Sequence, residues 1–221
     1  MARYPEQWHD MSDYVVHFTK DFNTKTAYEN QLKILHSRVL MAMSSFGIAR
    51  KLAPGAVPQK AVCFSEIPLH LISRLAERRG LYGMGFTKQF VLDRGGGPVW
   101  YVERHGPAET ALQHLIGQAL SSNSAEMSPI WSLTPFVDST GDYATGSYRF
   151  QWEREWRHLG DLHFTERDVA FLTIPENLHG AAYGFFANAF HNNTGPAYFC
   201  PYIDPGWNLE KVRETFGVGQ S

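Results

Sequence analysis

The sequence predicts an α+β domain around a mixed, largely antiparallel sheet. Three observations carry that expectation. Strand-like and helix-like periods alternate in the first half of the chain, strands dominate the second half, and no repeat, heptad series or low-complexity tract intervenes. With 221 residues, 43% hydrophobic and 14% aromatic, the chain has apolar material for one substantial core. No stretch reads as an interdomain linker, so residues 1–221 are expected to form a single domain.

The elements follow in order. Met1 to Asp13 is polar and aromatic and reads as an ordered lead-in. Tyr14 to Thr19 is β-branched and aromatic, the composition of a strand. Thr26 to Leu40 carries Leu32, Leu35, Val39 and Leu40 at helical spacing. Ser44 to Gln59, with Gly47, Pro54, Gly55 and Pro58, reads as a loop before a short strand, Ala61 to Ser65. Pro68 is placed to open a helix running to Gly80, with Arg74, Glu77, Arg78 and Arg79 on its wetter side. Tyr82 to Leu92 and Pro98 to Val102 read as strands, and the turn Asp93 to Gly97 could join them as a hairpin. Glu109 to Leu120 is helical in pattern. Ser121 to Ser147 is polar, contains Pro129, Pro135, Gly141 and Gly146, and reads as a mobile surface loop. Tyr148 to Leu159 and Val169 to Ile174 read as strands, with Pro175 starting a short helix.

Composition excludes several classes. Twenty Lys and Arg against 22 Asp and Glu give a net charge of −2, which makes the chain no general attractor of nucleic acid or anionic membrane. No apolar run approaches a membrane span, and Met1 to Asp10 lacks the apolar core of a secretory signal, so a cytoplasmic location is expected. Cys63 and Cys200 lack metal-type spacing and read as small buried hydrophobes. His158, His163 and Glu166 match no ligand motif, so no metal is expected. Gly95 to Gly97 precedes Pro98 and a strand, not the helix that a dinucleotide fingerprint requires.

The segment Phe150 to His158 carries the most chemistry. If it is extended, Trp152, Arg154 and Trp156 take one face while Glu153, Glu155 and Arg157 project together from the other. Paired carboxylates beside a guanidinium suit recognition of sugar hydroxyls or stabilisation of a cationic transition state. If it is helical, Glu153 and Arg157 form an ordinary i,i+4 pair and the tryptophans are core. His17 sits in an otherwise apolar strand, and Ser65 and Glu66 close the second strand. One sheet could bring these three points together, although each alone also has a structural reading: a hydrogen-bonded core His, a helix cap, a structural charge cluster.

Across residues 14 to 175 the order of motifs resembles the AbiGi-type family of abortive phage-resistance antitoxins and the broader bacterial family DUF2971. The resemblance lies in His17-Phe18-Thr19, Leu32 to Leu35, Val62 to Leu69, Tyr82 to Lys88, Pro98 to Val102 and Glu153 to Arg157. Where relatives often carry Asp in the second motif, this chain has Ser65-Glu66. The resemblance implies a role in phage–host conflict. The order of His, aromatic-Ser and Glu-x-Glu motifs is also similar to the site layout of ADP-ribosyltransferases. That second resemblance implies NAD as substrate, held by His17, Phe18, Thr19, Phe64, Ser65 and Arg157. Glu155 would steady the oxocarbenium ion and Glu153 would orient a protein or nucleic-acid acceptor. Against this stands a non-catalytic antitoxin or regulator that binds a partner protein or operator DNA. A nuclease would need a metal-binding carboxylate cluster that the sequence does not assemble.

Overall fold

The computed structural model describes residues 12–55, 57–66, 68, 71–143, 146–149 and 153–216. Tyr14–Phe18 (β1) leads through Ala27–Ser37 (α1) to Val39–Leu40 (β2), Ser44–Ser45 (β3) and Lys60–Ser65 (β4). Ile72–Arg79 (α2) precedes Gly83–Thr87 (β5) and Lys88–Asp93 (α3). Gly97–Pro98 (β6), Trp100–Glu103 (β7), Pro107–Leu120 (α4) and Ile130–Leu133 (α5) follow. Next come Val137–Tyr143 (β8), Gly146–Tyr148 (β9), Glu155–Leu159 (β10) and Leu162–His163 (β11). Val169–Thr173 (β12), His179–His191 (α6), Tyr202–Ile203 (β13) and Leu209–Thr215 (α7) complete the order.

The chain divides into two compact units, one of residues 1–39, 64–91 and 163–221 and the other of 40–63 and 92–162. In the first, strands lie in the order β13-β12-β5-β1. β1 is antiparallel to β5 over its whole length, from Tyr14 opposite Thr87 to Phe18 opposite Gly83, and on its other side Val16 faces Ser65. In this unit β12 and β13 run parallel. Val16, Ile72, Phe171, Ile203 and Val212 form one buried cluster, and Phe64, Phe86, Phe90 and Phe164 meet ring to ring in another. Gly85 lies opposite both Val16 and Phe171, and a Cβ there would stand 2.3 Å from the Phe171 ring. The ring takes the space that a side chain would fill.

In the second unit, β3 and the Lys60–Cys63 part of β4 pair antiparallel, β10 follows β4, and β6 pairs antiparallel with β10. β7 runs parallel to β8, and β9 returns antiparallel. Ala49, Ile116, Ala119 and Trp131 make one core cluster, and Val102, Leu112 and Val137 another. The α+β class and the mixed, largely antiparallel pairing are as expected from the sequence.

Several boundaries differ, each for a local reason. α1 starts in a full capping box between Thr26 and Glu29 and stops at Ser37, because Arg38 is left-handed (φ 57°). The strand expected to reach Leu92 ends at Thr87, whose hydroxyl accepts from the Phe90 N–H at 3.1 Å and caps α3. Phe90 and Val91, strand-like in type, are buried residues of that helix. No hairpin spans Asp93 to Gly97, since β6 pairs with β10 and β7 with β8. The segment read as a mobile loop holds β8, buried from Val137 to Gly141. Its polar residues hid that burial, because their partners come from distant segments. α2 starts at Ile72 rather than Pro68, and α7, capped by Asn208, had no forecast. Met1 to Met11 and Phe150 to Trp152 lie outside the described residues.

Candidate functional site

The Glu-Arg motif becomes the centre of the second unit. β10 begins at Glu155, so its period of two places Glu155 and Arg157 on one face and Trp156, 6% exposed, on the other. Arg157 has no exposed surface, and each nitrogen of its guanidinium has a partner. Nε donates to Glu155 Oε1 at 2.8 Å, Nη1 to the Pro135 carbonyl at 2.6 Å, and Nη2 to Asp138 Oδ2. The guanidinium carbon also lies 4.8 Å from the centre of the Phe46 ring. Tyr101 donates its hydroxyl to Glu155 Oε2 at 2.8 Å, so both oxygens of that carboxylate are engaged. Asp138 is shared with Arg50, whose Nη1 lies 3.3 Å from Oδ1 and whose side chain is half exposed. The planar fork of Arg matches two carboxylates at once, which a point-charge Lys cannot do.

Burial and charge set the protonation states. Burial alone raises Glu155, but the bonds and charge of Arg157, with Tyr101 and the Cys63 thiol, outweigh it and hold the carboxyl below its ordinary value. Burial lifts Asp138 above its ordinary value against the pull of Arg157. Burial opposes the charge on Arg157, yet the two carboxylates raise its pKa further, so it stays a cation. Burial and the Glu155 charge push up the Cys63 thiol and the Tyr101 hydroxyl, and burial with Asp138 and Glu155 pushes Tyr148 up to about 12. Cys63 is therefore held as a thiol, which is not the nucleophilic form. The sequence reading singled out Glu155 and Arg157 but missed Asp138, Tyr101, Arg50 and Phe46. The run Val137 to Thr140 gave little signal, because Asp138 and Ser139 are residues that favour turns and surface.

Glu153 departs from the expected pattern. It is 4% exposed but precedes the strand, and Arg154 between it and Glu155 is left-handed (φ 46°). That reversal breaks the alternation on which the shared face of three charged residues depended, while Glu155 and Arg157 keep it within the strand. Trp152 lies outside the described residues.

The remaining sequence candidates lie in the first unit. His17 is half-buried opposite Met84, with its ring edge-on to Phe64 at 5.9 Å. Phe64 is 1% exposed and meets Phe86 as well, and Ser65, 4% exposed, sits opposite Val16. Phe18 packs against the Val16 cluster. Thr19 is buried and donates its hydroxyl to the carbonyls of Ala27 (2.8 Å) and Tyr82 (3.2 Å), tying the end of β1 to the first residue of α1 and to the segment before β5. Among the described residues no group of three or more His, Cys, Asp or Glu is placed to hold a metal ion, and no helix is long and apolar enough to cross a membrane.

Fold and site thus define an α+β protein with a salt-bridged Arg–carboxylate centre in one unit and an aromatic core in the other. The chain belongs to the family described as "Putative abortive phage resistance protein AbiGi, antitoxin", whose model matches residues 32–194. Comparison with curated proteins and with solved structures found no match.

Proposed function

We propose that this phage-resistance protein works as an antitoxin by binding a partner protein, with Glu155, Arg157 and Asp138 as a structural centre of its fold. One observation carries the reading. Glu155, the carboxylate best suited by sequence to steady an oxocarbenium ion, has Oε1 on Arg157 and Oε2 on Tyr101 and is 11% exposed at its side chain. A catalytic carboxylate of that kind stabilises charge that develops on the substrate, and it does so most when its own lone pairs face the ribose. Here one oxygen faces a buried guanidinium and the other a tyrosine hydroxyl, so both are already committed within the fold. The NAD reading makes the opposite demand, that Glu155 be free to change partners.

The two readings separate in two assays on the whole protein. Calorimetry with NAD and a nicotinamide-release assay, run with and without cell extract as acceptor source, should show neither binding nor turnover. Co-expression with the toxin of its own system should restore growth of the host. NAD turnover would overturn the proposal, and so would a failure of soluble, folded protein to restore growth.

A further inference from the structure

We infer that the outer face of α6 is a docking surface for an uncharged, apolar helix of the partner protein. The inference rests on the antitoxin reading, since it supplies the contact surface which that reading requires. α6 carries the sequence HGAAYGFFANAFH and buries Ala182 and Phe186. At 100° per residue, Tyr183 and Phe190 fall on one flank of that buried stripe and Phe185 on the other. Tyr183 is 54% exposed, Phe185 55% and Phe190 58%, and Phe199, 57% exposed, stands beside the first flank. The Phe199 ring centre lies 6.0 Å from that of Tyr183 and 5.8 Å from that of Phe190, so three half-exposed rings form one continuous wall.

Two further features select the occupant. From Asn177 to Ile203 there is no Asp, Glu, Lys or Arg, in a chain that is 19% charged. A segment without charge itself offers nothing to steer or pair a charged partner, and interface cores show this same depletion together with aromatic enrichment. Second, the outward line of α6 between its two flanks carries Gly180 and Gly184, and a Cβ at either would meet none of the described residues within 4 Å. A helix can lie close there, between aromatic walls. Beside Phe185, a groove of about 270 Å³ has an apolar wall of Leu32, Phe186 and Ala189 and an uncharged polar rim that includes Asn188, Asn192 and Thr194. It falls below the ~300–1,000 Å³ of ligand pockets and suits an entering apolar side chain better than a cofactor.

The area is of the right order. Four aromatic side chains exposed by a little over half present roughly 450 Å², more than half of the ~800 Å² that one partner contributes to a standard interface. α6 also lies wholly inside the segment that defines the family, residues 32–194.

The test co-expresses the chain with the toxin of its own system, purifies through a tag on the chain, and measures the toxin retained. The variant carries Tyr183→Ser, Phe185→Ser, Phe190→Ser and Phe199→Ser, and its urea midpoint confirms folding, since none of the four is core. The wild type should retain the toxin, and the variant should bind it at least about thirty-fold more weakly, as for the loss of an aromatic hot spot. Equal retention by both would overturn the docking surface while leaving the antitoxin reading intact. No retention by the wild type would overturn the antitoxin reading and the surface with it. A wild-type dimer that the variant loses would assign the face to a second copy of this chain, against the inference.

Discussion

Replacing Arg157 by Met isolates the buried centre. The side chain is fully buried and holds Glu155, Asp138 and the Pro135 carbonyl together. Methionine keeps much of its volume but none of its donors. Among the described residues Glu155 would keep its bonds from Tyr101 and Cys63, and Asp138 its half-exposed partner Arg50. Removing one member of a buried ion pair typically costs about 3–5 kcal/mol, because the charge left behind is desolvated without compensation. Against a domain stability of about 5–15 kcal/mol that is a large fraction. With a urea m-value of about 2 kcal/mol/M, the denaturation midpoint followed by tryptophan fluorescence should fall by about 2 M with m unchanged. The loss should also depend on pH. Without the guanidinium, both carboxyls become easier to protonate when folded than when unfolded, so the deficit should grow as pH rises from 5 to 8. Replacing Arg157, Glu155 and Asp138 together by apolar residues of similar size should recover most of the loss. A midpoint within about 0.3 M of wild type for Arg157→Met alone, equivalent to about 0.6 kcal/mol, would refute the argument.

Three further outcomes follow from local geometry. Glu155 titrates below its ordinary value in the folded chain, so its stabilising contribution is present above about pH 4.5 and is lost as pH falls through the folded value. The stability gap between wild type and Glu155→Gln should therefore be full at pH 7 and narrow toward pH 3, whereas a gap independent of pH would contradict the assigned charge. Thr26→Ala removes the side-chain half of the capping box and should cost about 1 kcal/mol, read as a lower urea midpoint, while Thr26→Ser should restore it. Gly85→Ala drives a methyl into the Phe171 ring and should cost about 1–3 kcal/mol, and Phe171→Leu in the same chain should relieve part of that. Additive losses from those two changes would show that the ring is not what excludes the side chain.

Alternation was local, and it was legible. β1, β4 and β12 follow from β-branched and aromatic runs and from the turn residues at their borders, and the body of α1 follows from apolar residues at helical spacing. Glu155 and Arg157 were also legible as a pair, because a strand puts alternate residues on one face without help from the rest of the fold. Three things were not. Phe90 and Val91 fit a strand as well as a helix, and in the fold they lie in a helix whose start is capped by the Thr87 hydroxyl. The polar run Asp138 to Thr140 reads as surface until Arg157, nineteen residues later in number, neutralises Asp138 and makes burial affordable. Glu155 looks like a catalytic carboxylate in a one-dimensional list of residues, and only the tertiary structure shows its lone pairs held by Arg157 and Tyr101. Sequence determined which groups carry charge and which faces they take within one element. Which charges meet depended on contacts far apart along the chain, and those contacts decide whether a carboxylate is available for chemistry or holds the fold together.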